Sequence, residues 1–269
     1  MQVEPATTGF ECLARSPRAA LLIVHGLADY AGRYRELAAT LASRGVSCFA
    51  YDQRGHGTRP GIRTHVERFD DFVDDLNLEA LSLQRRSPDL PLFVWGHSMG
   101  SIVVIGAVST ARHRWRGAIT TSNSLEVFRR GPNPLNPFFR FASRVLPRIR
   151  VPLGLDARKI STDEAVQHAY ANDPLVPPTA SLRLIVEFAV ACERCRTGAA
   201  QLTLPWLVVH GEADAIAPAQ GAHVLFDALR SQDKQLVIYP GLCHEVHNER
   251  PAERAKFIDL LSSWILQRV

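Results

Sequence analysis

Five residues, Gly96-His97-Ser98-Met99-Gly100, set a serine between two glycines at the junction of an apolar run, PLFVWG, and a second apolar run, MGSIVVIGAV. A serine hydroxyl is a weak nucleophile until a base removes its proton. The glycines let the chain turn sharply here, so the serine sits strained at the end of a strand with its hydroxyl exposed. A helix that begins at that turn aims unpaired N–H groups and the positive end of its dipole at any anion formed there. Residues of these types in this order fit attack on a carbonyl carbon, with a covalent acyl group held on Ser98.

Such a serine needs a base, and the chain has ten histidines. His97 adjoins the serine, so its side chain is expected to point into packing. His25 and His56 lie in HG and RGHG turns and read as loop supports. His244 follows the last strand-like run, QLVIYPG, at the edge of the sheet where ligands gather in open α/β folds. His247, three residues on, is its rival and lies farther from the strand end. The base must be oriented by a carboxylate that also stabilises its cation. Asp214, in HGEADAIAP, comes just past a strand and before His244, which gives the chain order serine, acid, histidine. Glu212 sits closer to the strand end, and Asp173, in NDPLV, reads as a turn or cap residue. The developing oxyanion needs two backbone donors. Met99 follows the nucleophile, and Leu27 lies just past His25-Gly26 in the loop after the strand AALLIVHG.

These residues must be held by elements that alternate. Strands are expected at Ala19–Gly26, Val46–Asp52, Pro91–Gly96, Gly117–Ser122, Pro205–Gly211 and Gln235–Gly241. Helices are expected at Tyr34–Arg44, Asp70–Arg86, Ser98–Arg112, Ala180–Arg196, Pro218–Arg230 and Pro251–Gln267. That alternation predicts the α/β class, a mainly parallel sheet with helices on both faces. Residues 124–179, rich in Pro, Arg and Phe and without a convincing strand, interrupt it after the fourth parallel strand. So long a loop is improbable without its own structure. The chain therefore reads as one domain, 1–269, with a small helical cap inserted at 124–179.

With 269 residues, 46% hydrophobic and 22% charged, the chain has an ordinary globular composition. A net charge of +4 without a basic run gives no reason to expect a nucleic-acid partner. No apolar stretch approaches the ~20 residues of a membrane span, and the first residues do not resemble a signal peptide. Five scattered cysteines suggest reduced thiols and a cytoplasmic setting. Cys192 and Cys195 fall inside a helix with no second pair, so they read as structural. No metal set or phosphate loop is expected. The acids Glu67, Asp70, Asp71, Asp74, Asp75 and Glu79 read as a solvated helix face.

The blocks HGLADYAGRY, YDQRGHG, GHSMG, NDPLV, HGEAD and SQDKQLVIYPGLCHEVHNE run in order over most of the chain. Together they resemble the monoacylglycerol lipase and lysophospholipase branch of the α/β-hydrolase superfamily. The resemblance implies the α/β-hydrolase fold with a helical cap, a nucleophile at Ser98, an acid at Asp214, a base at His244 and oxyanion donors at Leu27 and Met99. It also implies a single-chain lipid ester as substrate, monoacylglycerol first and lysophospholipid second, with no cofactor. General carboxylesterase and acyltransferase activity are the alternatives on the same machinery. A peptidase would need an anionic site for a free amine. Ser101 stands where relatives more often carry a second glycine, and the cap matches poorly.

Inside the cap, Asn136-Pro137 predicts a helix start, with Pro147 ending the helix. Phe138, Phe139, Phe141, Ala142, Val145 and Leu146 fall on one arc of about 160°, with Arg140 and Arg144 opposite and Arg129, Arg130, Arg148 and Arg150 flanking. Two readings follow. The face roofs an acyl tunnel, or it docks on a lipid aggregate, which would leave the enzyme peripheral to a membrane.

Overall fold

The structure, a computed structural model, describes residues 8–110, 113–129 and 133–269. In chain order the strands and helices are β1 (Gly9–Cys12), β2 (Ala19–Val24), α1 (Arg35–Ser43), β3 (Val46–Tyr51), α2 (Asp70–Arg86), β4 (Leu92–His97), α3 (Met99–Ser109), β5 (Trp115–Thr121), α4 (Pro137–Val145), β6 (Arg150–Pro152), α5 (Glu164–Ala171), β7 (Thr179–Ser181), α6 (Leu182–Gly198), β8 (Trp206–Gly211), α7 (Gln220–Ala228), β9 (Lys234–Tyr239) and α8 (Pro251–Leu266). Seven strands form one sheet in the order β1-β3-β2-β4-β5-β8-β9. Only β1 is antiparallel to its neighbour; the remaining pairs are parallel.

Side chains alternate across β2: Ala20, Leu22 and Val24 join a core with α2, α3, α6 and α7, while Leu21 and Ile23 join a second core with α1 and α8. Every residue of β2, β3, β4 and β8 is buried, as strands covered on both faces must be. This is the α/β-hydrolase architecture. The parallel strands and the helices between them lie within a few residues of the expected positions.

Two features differ from the sequence reading. β1 is an added edge strand whose Cys12 lies opposite Cys48; four residues with Glu11 exposed carry too little pattern to announce it. Residues 124–179 also contain a strand. Arg150–Pro152 pairs antiparallel with Thr179–Ser181, a ribbon so short, and with a proline at its edge, that no periodicity marks it. Arg112 and Arg130 lie outside the described residues. Within this segment α4 begins where expected: the Asn136 side chain accepts from the Phe138 N–H and Pro137 occupies the first turn.

Candidate active site

The turn between β4 and α3 is tightly constrained. Ser98 adopts φ 52°, ψ −121°, a left-handed conformation that costs a non-glycine residue of the order of 1–3 kcal/mol. Close approach makes its flanking glycines obligatory. A Cβ on Gly96 would meet the Gly100 carbonyl at 2.4 Å, and one on Gly100 would meet the Val24 carbonyl at 2.2 Å. Ser98 N–H donates to Thr121 O at 3.0 Å, and the Ser101 hydroxyl donates to Ser98 O at 2.6 Å. Ser101, the departure noted in the motif, thus braces the turn. Met99 occupies the first helical position, where a backbone N–H has no acceptor within the helix. Leu27 lies past the last residue of β2, and together with Ser98 it borders the cavity described below.

His244 and Asp214 meet behind that cavity. His244 Nδ1 lies 2.7 Å from Asp214 Oδ2, and both residues are buried. The other carboxylate oxygen accepts the N–H groups of Ile216 and Ala217, each at 2.9 Å. Burial opposes the charge on Asp214, but the His244 and His210 rings override it and hold the carboxyl well below the usual range. Burial likewise opposes protonation of His244, yet the Asp214 carboxylate prevails and raises its pKa above the ordinary histidine value. Fixed at Nδ1, the imidazole has Nε2 left for proton transfer, and it shares the cavity wall with Ser98.

The sequence reading did not single out the network beneath. Asp29 accepts from Gly26 N–H (3.2 Å), Tyr30 N–H (2.8 Å), Arg33 (3.0 Å) and Tyr34 OH (2.7 Å), which ties down the loop carrying Leu27. Arg33 also grips Glu245, the neighbour of His244, with two bonds of 2.5 and 2.7 Å. A bidentate guanidinium between the two loops fixes both. An arginine and two acids inside the blocks HGLADYAGRY and CHEVHNE were the available signal; their pairing across 212 residues was not.

The remaining candidates sort by their partners. His247 is packed among Tyr34, Trp95, His97 and Phe257, with no carboxylate on either ring nitrogen, and burial pushes its pKa down to about 4. His97 is buried in packing as expected, with Nδ1 at 3.0 Å from Thr121 Oγ1 and its ring against both His244 and His247, and it also borders the cavity. His25 receives the Gln53 N–H on Nε2, which supports the loop after β3. Glu212 is exposed and accepts from Gly241 N–H. Asp173 closes a turn with Leu175 N–H and also accepts from Tyr30 OH at 2.7 Å.

Among the described residues, His97, Glu245 and His247 bring potential metal-ligand atoms within 4.8 Å of one another, a grouping the sequence reading did not anticipate. Arg33 already occupies both oxygens of that carboxylate, and a cation would have to displace its buried guanidinium. Cys192 and Cys195 are free buried thiols bonded to carbonyls of Ser124 and Ile102. The acidic stretch is not wholly solvated. Asp75 is buried between Arg54 (2.6 and 2.8 Å) and Arg59 (3.0 Å), because its helix face turns toward the loop after β3.

Ser98, His244 and Leu27 open onto a cavity of about 480 Å³. Its far walls are apolar: Val127, Phe128, Phe139, Leu153, Ile185 and Phe188 contribute. A pocket of this size with few polar groups suits a ligand with a hydrocarbon tail and a small polar end. Phe139 is the part of α4 that faces it. Phe138 (71% exposed), Phe141 (66%) and Val145 (59%) face solvent instead. The expected apolar arc is therefore divided, with one edge over the cavity and most of its large side chains outside. Arg129 is paired with Glu193, and Arg150 is bonded to Arg63 O, Thr64 and Thr179, so neither is a free flanking cation. Among the described residues no helix is long and apolar enough to cross a membrane.

Comparison with known proteins gives a consistent picture. The family profile Hydrolase_4, described as serine aminopeptidase, S33, matches residues 15–251. The chain is 32% identical over 260 residues to a monoacylglycerol lipase of Mycolicibacterium smegmatis, covering 94% of this chain and 90% of that one. It is 31% identical over 258 residues to the human monoglyceride lipase, covering 94% and 84%. The crystal structure of Paleococcus ferrophilus monoacylglycerol lipase superposes with a TM-score of 0.85 at 26% identity, covering 97% of this chain and 99% of that one.

Proposed function

Because the chain belongs to the Hydrolase_4 family of serine hydrolases, we propose that it cleaves the ester bond of a monoacylglycerol through an acyl-enzyme on Ser98. The observation that carries this reading is the 2.7 Å Asp214–His244 pair, whose histidine lines, together with Ser98, a cavity with mostly apolar walls. Ser98 Oγ attacks the acyl carbon as its proton passes to His244 Nε2. Asp214 holds the Nδ1–H and balances the imidazolium. The Leu27 and Met99 N–H groups receive the oxyanion. As the intermediate collapses, His244 returns the proton to the departing glycerol oxygen. It then deprotonates the water that releases the fatty acid. Amine recognition is disfavoured: the two carboxylates in the cavity wall, Asp29 and Glu245, are both already bonded to Arg33.

His244 serves as a base only while neutral, so activity is lost as pH falls through its pKa in the folded enzyme. The carboxylate of Asp214 raises that pKa above the ordinary histidine value. The acid limb of kcat/KM against pH should therefore have its midpoint at or above about 6.5. A midpoint near 5 would contradict the pairing.

Residues 124–179 act as the cap in this reading, and its outer surface supports docking on a lipid aggregate. Phe138, Phe141, Val145, Leu146 and Ile149 are exposed together, and Arg140, Arg144 and Arg148 lie nearby without an ion pair among the described residues. An exposed apolar patch rimmed by cations suits an anionic interface. Phe138→Asp with Phe141→Asp should lower turnover of long-chain monoacylglycerol by about tenfold or more, since each exposed Phe that becomes buried in the lipid on docking contributes ~1.5–3 kcal/mol. Hydrolysis of a soluble acetate ester should stay within about twofold. Arg140→Glu with Arg144→Glu should weaken binding to anionic vesicles at low salt. No vesicle binding by the wild type removes docking, and equal losses on both esters remove the cap's role altogether.

A lysophospholipid is the second reading, and Lys159 is the observation that favours it. It is exposed, borders the cavity and has no ion pair among the described residues, so a headgroup phosphate could meet its ammonium. A panel of monoacylglycerols, lysophospholipids, triacylglycerols and aminoacyl amides tests the assignment. The expected preference is monoacylglycerol, and a preference for aminoacyl amides would overturn it.

A further inference from the structure

His210 lies near the C-terminal end of β8, four residues before Asp214, with its side chain fully buried. Its Nε2 is 2.9 Å from the Ala217 carbonyl and 3.1 Å from Asp214 Oδ2. A carbonyl oxygen only accepts, so Nε2 carries the hydrogen, and that one N–H is shared between the two oxygens. Nδ1 is buried and has no partner among the described residues, so the ring makes its polar contacts through Nε2. Asp214 Oδ2 therefore accepts from two imidazoles, His244 at 2.7 Å and His210 at 3.1 Å, while Oδ1 takes two backbone N–H groups.

We propose that His210 is a positioning residue for the hydrolytic reaction: its Nε2–H bridges the turn at Ala217 to Asp214, fixing the carboxylate toward His244 and sharing the oxygen on which His244 is held. This inference rests on Asp214 acting as the acid of the triad. The shared donor spreads part of the carboxylate's charge away from His244. Without it, Asp214 is freer to swing and holds the imidazolium more strongly when it does engage. The other charged and titratable groups near His244 are Asp29 from the loop after β2, His97 at the end of β4, Lys159, whose carbonyl accepts the His244 N–H at 3.3 Å, and Cys243, Glu245 and His247 on its own segment, with Arg33 behind them bonded to Asp29 and Glu245.

The test compares His210→Leu, which removes the donor, with His210→Gln, whose side-chain amide N–H reaches a similar position. His210→Leu should lower kcat about 10- to 100-fold with KM within about twofold, the range expected for losing a hydrogen bond to a charged group. The acid limb of its pH profile should also move to higher pH. His210→Gln should recover kcat to within about threefold of wild type and restore the midpoint. If the leucine variant does not fold, His210→Phe provides the ring without the donor. Wild-type kcat in the donor-less variants, or glutamine and leucine variants that lose kcat equally with an unmoved midpoint, would overturn the inference. Asp214→Asn is measured beside them. If it stays active, the triad reading itself has failed; if it is inactive while His210→Leu behaves as wild type, only the role of His210 has.

Discussion

Ser98→Ala should lower kcat by about 10⁴-fold or more, leaving the fold and the cavity in place. The loss is that large because the serine, its base and the acid act as one unit, so removing the nucleophile forfeits almost all their joint contribution. What should remain is the effect of binding and of the oxyanion donors proposed at Leu27 and Met99. The alanine also relieves nothing in the backbone. Position 98 stays at φ 52°, and the braces from Thr121 O and Ser101 Oγ act on its main chain, not on its hydroxyl. Thermal unfolding should accordingly be close to wild type. Turnover within tenfold of wild type would mean that the nucleophile lies elsewhere.

The second large effect separates two neighbouring histidines. His244→Ala and Asp214→Asn should each lower kcat by about 10³- to 10⁴-fold. In Asp214→Asn the amide presents a hydrogen toward one or the other imidazole, which favours the wrong tautomer of His244. His247→Ala should keep most of the activity, because its ring touches Tyr34, Trp95, His97 and Phe257 but no carboxylate. Its loss should register as lower stability, of the order of 1–3 kcal/mol for a buried aromatic ring removed. An inactive His247→Ala beside an active His244→Ala would reverse the assignment.

The physical content of the sequence explains what could be read from it. Strands buried on both faces are short apolar runs, and Ala19–Val24, Val46–Tyr51 and Trp206–Gly211 stand out for that reason. The elbow at Ser98 is legible because the serine and its two glycines fall within five consecutive residues, although only Gly96 is demanded by a local contact, the Gly100 carbonyl; Gly100 is demanded by the Val24 carbonyl of a neighbouring strand. Chain order then narrows the choice of acid and base. Features made by long-range pairing left no local trace. Arg33 and Glu245 are 212 residues apart, and the ribbon of Arg150–Pro152 with Thr179–Ser181 has three residues on each strand. Asp75 belongs to the same gap: its helix is amphipathic by pattern, but Arg54 and Arg59 reach it from a loop whose path no periodicity specifies. The outward turn of Phe138 and Phe141 is set by how α4 lies on α6, which the apolar arc alone leaves open.

The most direct measurement is covalent capture of the nucleophile in competition with substrate. The protein is treated with a long-chain alkyl fluorophosphonate, with and without excess monoacylglycerol, and the adduct is weighed and mapped. One adduct on the peptide carrying Ser98, formed more slowly when monoacylglycerol is present, is the predicted result. An adduct on another serine, or a labelling rate at Ser98 that monoacylglycerol leaves unchanged, would contradict it.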